Sequence, residues 1–385
     1  MRIAKFFKPL AVAMCTAGYL AAPVQAADPV NVKFGFAGPL TGPQSHFGED
    51  MQNGLTLAME QANQRGIRIN GQPVRFTLIT RDDQADPRVA VQVAQQLVDE
   101  EVNGILGHFN SGTTIPASRV YHDAGLPQVA MGTSMEYTNQ GYETAFRMMT
   151  SDTQQGAAVG AFIVNKLKAK RVAIIDDRTA YGQGLAAEVD RAVTKAGGLV
   201  VRREYTTDKS NDFNAILTNI RAVQPDAIFF GGLDAQSGPM RRQMKNLGIT
   251  APLVSGEMTR SDTFLKLAGK AAEGTYASLA GLPLEQMAAG VKFSQDYQAR
   301  FNKAPGVYAP YAYDGAWNMI AAIEQAQSAD PEKYLPFLAK LKRSGATSEH
   351  IAYDDKGDLK EIAITVYQVR DGKWDLVETV VTRDQ

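Results

Sequence analysis

Val32-Lys-Phe-Gly-Phe-Ala-Gly-Pro-Leu-Thr-Gly42 runs on to Phe47-Gly48, and Val172-Ala-Ile-Ile-Asp-Asp177 runs on to Tyr181-Gly182. Each is an apolar strand, a short loop, an aromatic-glycine pair and the start of a helix. One device therefore occurs twice, and two similar half-sites imply one ligand held between two lobes. Outward from the first copy, strands at Val32–Ala37, Val74–Thr80, Gly104–His108 and Gln128–Met131 alternate with helices near Gly48–Arg65, Pro87–Glu100 and Thr114–Ala124. Around the second copy, strands at Val172–Asp176, Val200–Tyr205, Ala227–Gly231 and Leu253–Ser255 alternate with helices near Gly182–Ala196, Phe213–Val223, Gly238–Leu247 and Asp262–Leu267. Such alternation predicts an α/β chain with two mostly parallel sheets flanked by helices. After Ala280 come helices over Ala288–Asn302, Pro310–Ala326 and Pro331–Lys342, then Glu361–Arg370 and Lys373–Thr382 around Asp371-Gly372, a hairpin signal. These late elements have no sheet of their own, so they return to the two lobes. Crossovers are expected near residues 152, 280 and 361, giving one lobe from 27–152 plus 281–361 and another from 153–280 plus 362–385.

Residues 1–26 carry Arg2, Lys5 and Lys8, an apolar run from Leu10 to Ala22, and small residues before Ala27-Asp28. This is a secretory signal with cleavage expected after Ala26, too short in its apolar part to span a bilayer. Cleavage moves the formal charge from −1 to −4 and removes Cys15, the single cysteine, so the mature chain has no disulfide to lean on. A near-neutral balance without a basic block argues against a nucleic-acid partner. His46, His108, His122 and His350 form no pair at metal-ligand spacing. Asp82-Asp83 with Asp86 resembles an acidic cluster, yet Asp86-Pro87 is explained as a helix cap followed by proline at the first helical position. No metal or cofactor is expected, and a monomer is.

In open parallel sheets, ligands bind outside the carboxyl ends of strands. Two such loops in the first half, Gly107-His-Phe-Asn-Ser-Gly-Thr-Thr-Ile-Pro116 and Met131-Gly-Thr-Ser-Met135, are rich in glycine and hydroxyls and suit an anion such as a carboxylate. The matching loops of the second half offer Tyr181, Gly232-Leu233-Asp234 and Gly256-Glu257-Met258. Glu257 has no basic neighbour nearer than Arg260, so a cationic ligand group is its expected partner. A carboxylate pocket facing an anion describes a zwitterion, and free α-amino acids are zwitterions. Singly, such loops are ordinary helix caps and an aromatic-glycine pair merely packs a helix start; the functional reading rests on their joint occurrence at corresponding strand ends. Gly182-Gln-Gly-Leu-Ala-Ala187, followed by Glu204, also fits a dinucleotide fingerprint and an exported nicotinamide-dependent enzyme. Five residues between strand and first glycine, where that fingerprint wants a tight turn, speak against it.

Asp82-Asp-Gln-Ala-Asp-Pro87, Gly107 to Ser118, Tyr181-Gly-Gln-Gly-Leu185 and Asp355-Lys-Gly-Asp-Leu359 resemble the leucine/isoleucine/valine-binding protein family, through essentially the whole mature chain and in order. The resemblance implies a two-lobed periplasmic binding protein with three hinge crossovers. It would capture a neutral apolar L-amino acid, leucine, isoleucine or valine, and deliver it to the membrane permease of an ABC importer; a sensory protein of the same fold is the alternative. By position, Ser111 and Ser134, with backbone groups at Gly132 and Thr133, correspond to the family's carboxylate site, and Glu257 to its ammonium acceptor. Phe47, Tyr181 and Tyr308 fall where members put aromatics around the ligand. Two departures stand out. Ala85 and Asn110 occupy positions that some members join by a disulfide, and Leu233-Asp234 stands where some have a ligand-contacting tyrosine. Asp234 is left with two readings, a second group at the ammonium or a helix cap.

Overall fold

The computed structural model describes Met1 and residues 28–383. The cleavage site after Ala26, Cys15 and the rest of the signal lie outside the described residues.

The first sheet and its helices are β1 (Val30–Gly38), α1 (Ser45–Arg65), β2 (Arg68–Ile69), β3 (Gln72–Asp82), α2 (Pro87–Asp99), β4 (Gly104–Gly107), α3 (Ser111–Asp123), β5 (Gln128–Ala130), α4 (Met135–Asn139) and β6 (Ala145–Arg147). The chain then crosses through α5 (Asp152–Ala161) into β7 (Arg171–Asp176), α6 (Ala180–Lys195), β8 (Leu199–Tyr205), α7 (Asn214–Ala222), β9 (Ala227–Gly231), α8 (Asp234–Asn246), β10 (Leu253–Ser255), α9 (Asp262–Ala268) and β11 (Tyr276–Ala280). It returns with α10 (Ala288–Phe301), α11 (Ala309–Ala326), α12 (Pro331–Ala339) and a two-stranded ribbon of β12 (Lys342–Arg343) and β13 (Ile351–Ala352). It crosses a third time into β14 (Glu361–Arg370) and β15 (Lys373–Arg383).

Strand order is β2-β3-β1-β4-β5-β6 in one sheet and β15-β14-β11-β10-β9-β7-β8 in the other. Both run parallel except at their margins, where β2 opposes β3, and β14 opposes β11 and β15. The Asp371-Gly372 turn is a hairpin, with φ of 51° and 73° at its two residues, the positive pair that a primed turn needs. In the first sheet, β1 sits between β3 and β4; in the second, β7 sits between β8 and β9. Connections leave these strands in opposite directions, which opens a crevice at their carboxyl ends.

Several elements were not evident from sequence pattern, the short β2, α4, β12 and β13 among them, and three matter for the layout. β6 is three residues long, β11 mixes serine and alanine with its apolar positions, and α5 reads Asp-Thr-Gln-Gln-Gly-Ala-Ala-Val-Gly-Ala with no large apolar stripe. α5 packs by proximity: methyl groups on Gly156 and Gly160 would collide with Glu188 and Ala192 of α6. Close helix approach thus replaces side-chain bulk.

Candidate functional site

The aromatic-glycine device has a physical reason. A side chain on Gly48 would overlap the carbonyl of Pro39, and one on Gly182 would overlap Asp177 and the carbonyl of Gly231. Each glycine lets a helix start press against the loop leaving its strand, and this fixes the preceding aromatic at the strand end. The same contacts account for Gly182 in the would-be dinucleotide fingerprint, while Gly184 lies against the Asp152 carboxylate. Phe47 and Tyr181 are both buried.

On the first lobe, the Phe47 ring stacks on Phe109 at 5.2 Å between centroids and meets Tyr308 edge-on at 5.2 Å. Tyr308 stands at the start of α11, held there by Asp50 of α1, whose Oδ2 accepts from the Tyr308 and Ala309 amides at 2.8 Å each. Burial pushes the Asp50 carboxyl up, and these bonds pull it back. Sequence reading gave no hint of Asp50 beyond its place in a helix. The Tyr308 hydroxyl is buried without a hydrogen-bond partner among the described residues.

Beside the aromatics lie the loops after β4 and β5. Ser111 Oγ accepts from the Ser134 amide at 3.1 Å, so the two serines named from sequence stand together. The Ser134 hydroxyl also accepts from the Glu136 amide at 3.3 Å as the N-cap of α4. Gly132 packs against Ser111 and Thr114. The Thr133 hydroxyl is buried beside the Asp152 carboxyl, whose pKa it holds down against burial. Asp82, at the end of β3, accepts from the Leu40 amide at 2.8 Å and from the Thr41 hydroxyl, fixing the loop after β1. Asp83 Oδ2 accepts from His108 Nδ1 at 2.7 Å, and His108 Nε2 lies 3.0 Å from Tyr121 Oη, all buried. The acidic cluster is thus divided among loop support, a buried network and the α2 cap, and no group of residues poised to hold a metal occurs among the described residues.

Across the crevice, Glu257 is fully buried after β10, and its Oε2 accepts from Tyr181 Oη at 3.0 Å and Gln155 Nε2 at 2.6 Å. Burial raises its pKa, opposed by those donors. Arg260 is not its partner: that guanidinium lies over the Tyr367 ring at 4.3 Å. Gln155 was missed from sequence because a glutamine in a polar helix carries no signal. It also donates to Ser278 at 2.8 Å, while its own carbonyl oxygen is buried without a partner among the described residues. The Asp152 amide, one turn earlier on α5, donates to the Thr133 carbonyl at 2.8 Å. The hydroxyl wall and the acidic wall are therefore connected by one helical turn. Asp234 neither caps α8, where Leu233 is the buried N-cap, nor touches Glu257 by hydrogen bond. Its Oδ2 takes His46 Nε2 of α1 at 2.9 Å and the Ser261 hydroxyl, while Oδ1 is buried without a partner among the described residues.

Buried polar atoms left unpaired cost about 1–3 kcal/mol each. Here the Tyr308 hydroxyl, the Gln155 carbonyl and Asp234 Oδ1 all belong to residues at this crevice.

Asp152 shows the cost of such burial. Burial, with the Glu257 charge adding to it, raises its carboxyl to about 7. A folded value above the unfolded one means that the stability conferred is full below about pH 4 and is lost as pH rises through about 7. Asp152→Asn removes the charge at constant shape. It is expected to stabilise the empty protein by on the order of 3 kcal/mol at pH 8 and little at pH 4, measured by urea midpoints at both pH values.

A family model described as periplasmic binding protein matches residues 31–373. A leucine-, isoleucine-, valine-, threonine- and alanine-binding protein of Pseudomonas aeruginosa is 32% identical over 360 residues, covering 93% of this chain and 94% of that protein. An amino acid binding protein of the same organism is 36% identical over 349 residues, covering 89% and 92%. Among solved structures, the leucine binding protein LivK of Thermotoga maritima superimposes with a TM-score of 0.84 at 26% identity, covering 91% of this chain and 98% of that one. With two parallel sheets, three crossings and a crevice at both switch points, the chain belongs to the periplasmic binding protein family.

Proposed function

We propose that this chain binds a free, neutral, apolar L-amino acid of the branched-chain type in the crevice and hands it to the permease of an ABC importer. One observation carries the reading: a buried glutamate without a basic partner among the described residues faces, across one turn of α5, the hydroxyl-bearing loop of Thr133 and Ser134. Such a pair of poles matches the ammonium and carboxylate of one small zwitterion, and Phe47, Phe109, Tyr181 and Tyr308 offer the apolar surface. The ligand's carboxylate takes donors at Ser111, Thr133 and Ser134, with Gly132 giving it room, and its ammonium takes Glu257. Leu233 lies at the rim and Asp234 serves closure. The names of the Pseudomonas relatives support this ligand class. In this reading, residues 27–152 plus 281–361 and 153–280 plus 362–385 are the moving lobes of a monomer. The expected location is the periplasm, after cleavage behind Ala26, and the family match is in keeping with it.

Micromolar binding needs about 8 kcal/mol, within reach of a nine-heavy-atom amino acid only when nearly all of it is buried. Lobe closure achieves that burial and presents a new surface to the permease. The test is a thermal-shift screen of the mature protein against all amino acids, followed by scattering. Leucine, isoleucine or valine at a hundredfold excess over Kd is expected to add about 2.7 kcal/mol of stability and to give a smaller radius of gyration. No shift with any amino acid would overturn the proposal, as would chemical turnover of the ligand.

A further inference from the structure

Arg147, the last residue of β6, is among the largest fully buried side chains of the described residues, and nothing in the ligand contacts above uses it. Its guanidinium donates through Nη1 to the Gly132 carbonyl and through Nη2 to the Ser134 carbonyl at 3.0 Å and the Thr138 hydroxyl at 3.0 Å. Nε donates to Asp358 Oδ1 at 2.6 Å, and Asp358 Oδ2 accepts from Thr138 at 3.0 Å. The Tyr137 ring lies 5.6 Å from the guanidinium carbon. With the Asp152 amide on the Thr133 carbonyl, every carbonyl from 132 to 134 has a donor inside the protein.

Asp358 belongs to Asp355-Lys-Gly-Asp-Leu359, a stretch that carries the family resemblance without touching the crevice. Its geometry explains the residues. Gly357, at φ 90°, accepts from the Arg147 amide at 2.8 Å, and a side chain there would overlap the Ala145 carbonyl. Asp354 accepts from the Asp358 amide at 2.9 Å, so the turn presents Asp358 to Arg147. The Leu359 carbonyl accepts from Gln154 at 3.2 Å, joining the first and third crossovers.

A buried ion pair is a costly way to hold a chain together, since apolar packing does as well or better. An arginine fork behind an anion-binding loop has a use that packing lacks. It draws the carbonyl oxygens back and places a positive charge behind the donors, with its counter-charge Asp358 bound on a different edge of the guanidinium from the two carbonyls. We propose that Arg147 is a positioning residue for the carboxylate end of the crevice, with Asp358 setting how much of its charge the ligand feels. This rests on the amino-acid reading above.

The experiment compares leucine with leucinamide, which keeps the ammonium and side chain but lacks the negative charge, by calorimetry on the mature protein and on Arg147→Met, Arg147→Lys and Asp358→Asn. Arg147→Met is expected to lower the preference for the acid about tenfold or more, with Arg147→Lys between it and wild type. Asp358→Asn still accepts the Nε–H but removes the opposing charge, so it is expected to raise the preference several-fold, roughly the effect of one uncompensated charge at partly screened range. Opposite signs are the signature, because a merely structural role lowers affinity for both ligands alike in every variant. If Arg147→Met does not fold, Asp358→Asn alone decides: a preference unchanged or lowered overturns the proposal. A wild-type protein that binds no amino acid refutes the functional reading, whereas one that prefers leucine to leucinamide and keeps that preference in Arg147→Met refutes only this inference.

Discussion

Glu257→Ala is expected to raise the Kd for leucine by two to three orders of magnitude while leaving the empty protein at least as stable as wild type. The two halves of this outcome have one cause. The carboxylate is buried, its pKa is raised by that burial, and its Tyr181 and Gln155 donors offset only part of the cost. Removing it relieves the empty fold, and Gln155 Nε2 keeps Ser278 as an acceptor. With ligand bound, the same removal strands an ammonium in a dry site, which costs about 2–5 kcal/mol for one member of a buried charge pair. The raised folded pKa also sets a direction with pH: affinity for leucine falls as acidification protonates Glu257, and Glu257→Gln lacks that contribution. Calorimetry gives the Kd and urea unfolding the stability; a near-native Kd would take Glu257 out of the site.

Thr133→Val is expected to weaken leucine binding by about tenfold to a hundredfold, corresponding to about 1.5–3 kcal/mol for a hydrogen bond to a charged group. The substitution is nearly isosteric and removes a hydroxyl whose partner in the empty protein is the Asp152 carboxylate, so urea unfolding of the empty variant is measured alongside the Kd. Ser134→Ala is a less clean test, because that hydroxyl also caps α4. Leucinamide binding should fall less than leucine binding in Thr133→Val. Equal losses for the two ligands would argue against a carboxylate at this loop.

Much of the fold could be read in advance because parallel strands are buried on both faces and stand out as apolar runs, and because Asp371-Gly372 is a turn that few other structures need. The residues proposed for the crevice were found through their positions at strand ends rather than through their types. What escaped notice shares a different property. Arg147, Asp152 and Gln155 are polar side chains buried by partners far away in sequence, so their local setting gives no sign of burial. α5 was overlooked because it packs through Gly156 and Gly160, where the absence of side chain is the feature. His46 and Asp234 lie 188 residues apart and meet across the two sheets, and neither sequence neighbourhood points to the other.

The second sheet is not a contiguous piece of chain, since β14 sits between β11 and β15, and the first, though contiguous, is covered by a late element, with α1 packed against the Ala309 backbone through Gly54. A polypeptide emerging from a translocon N-terminus first has all of β1 to β6 exported before α11 exists to cover α1. It then has β11 displayed as an unpaired edge until β14 follows, some eighty residues later in the register of Ala280 with Ile364. Such long-range closure slows folding and exposes strand edges to other chains. The second sheet is therefore completed only when the final hairpin joins it.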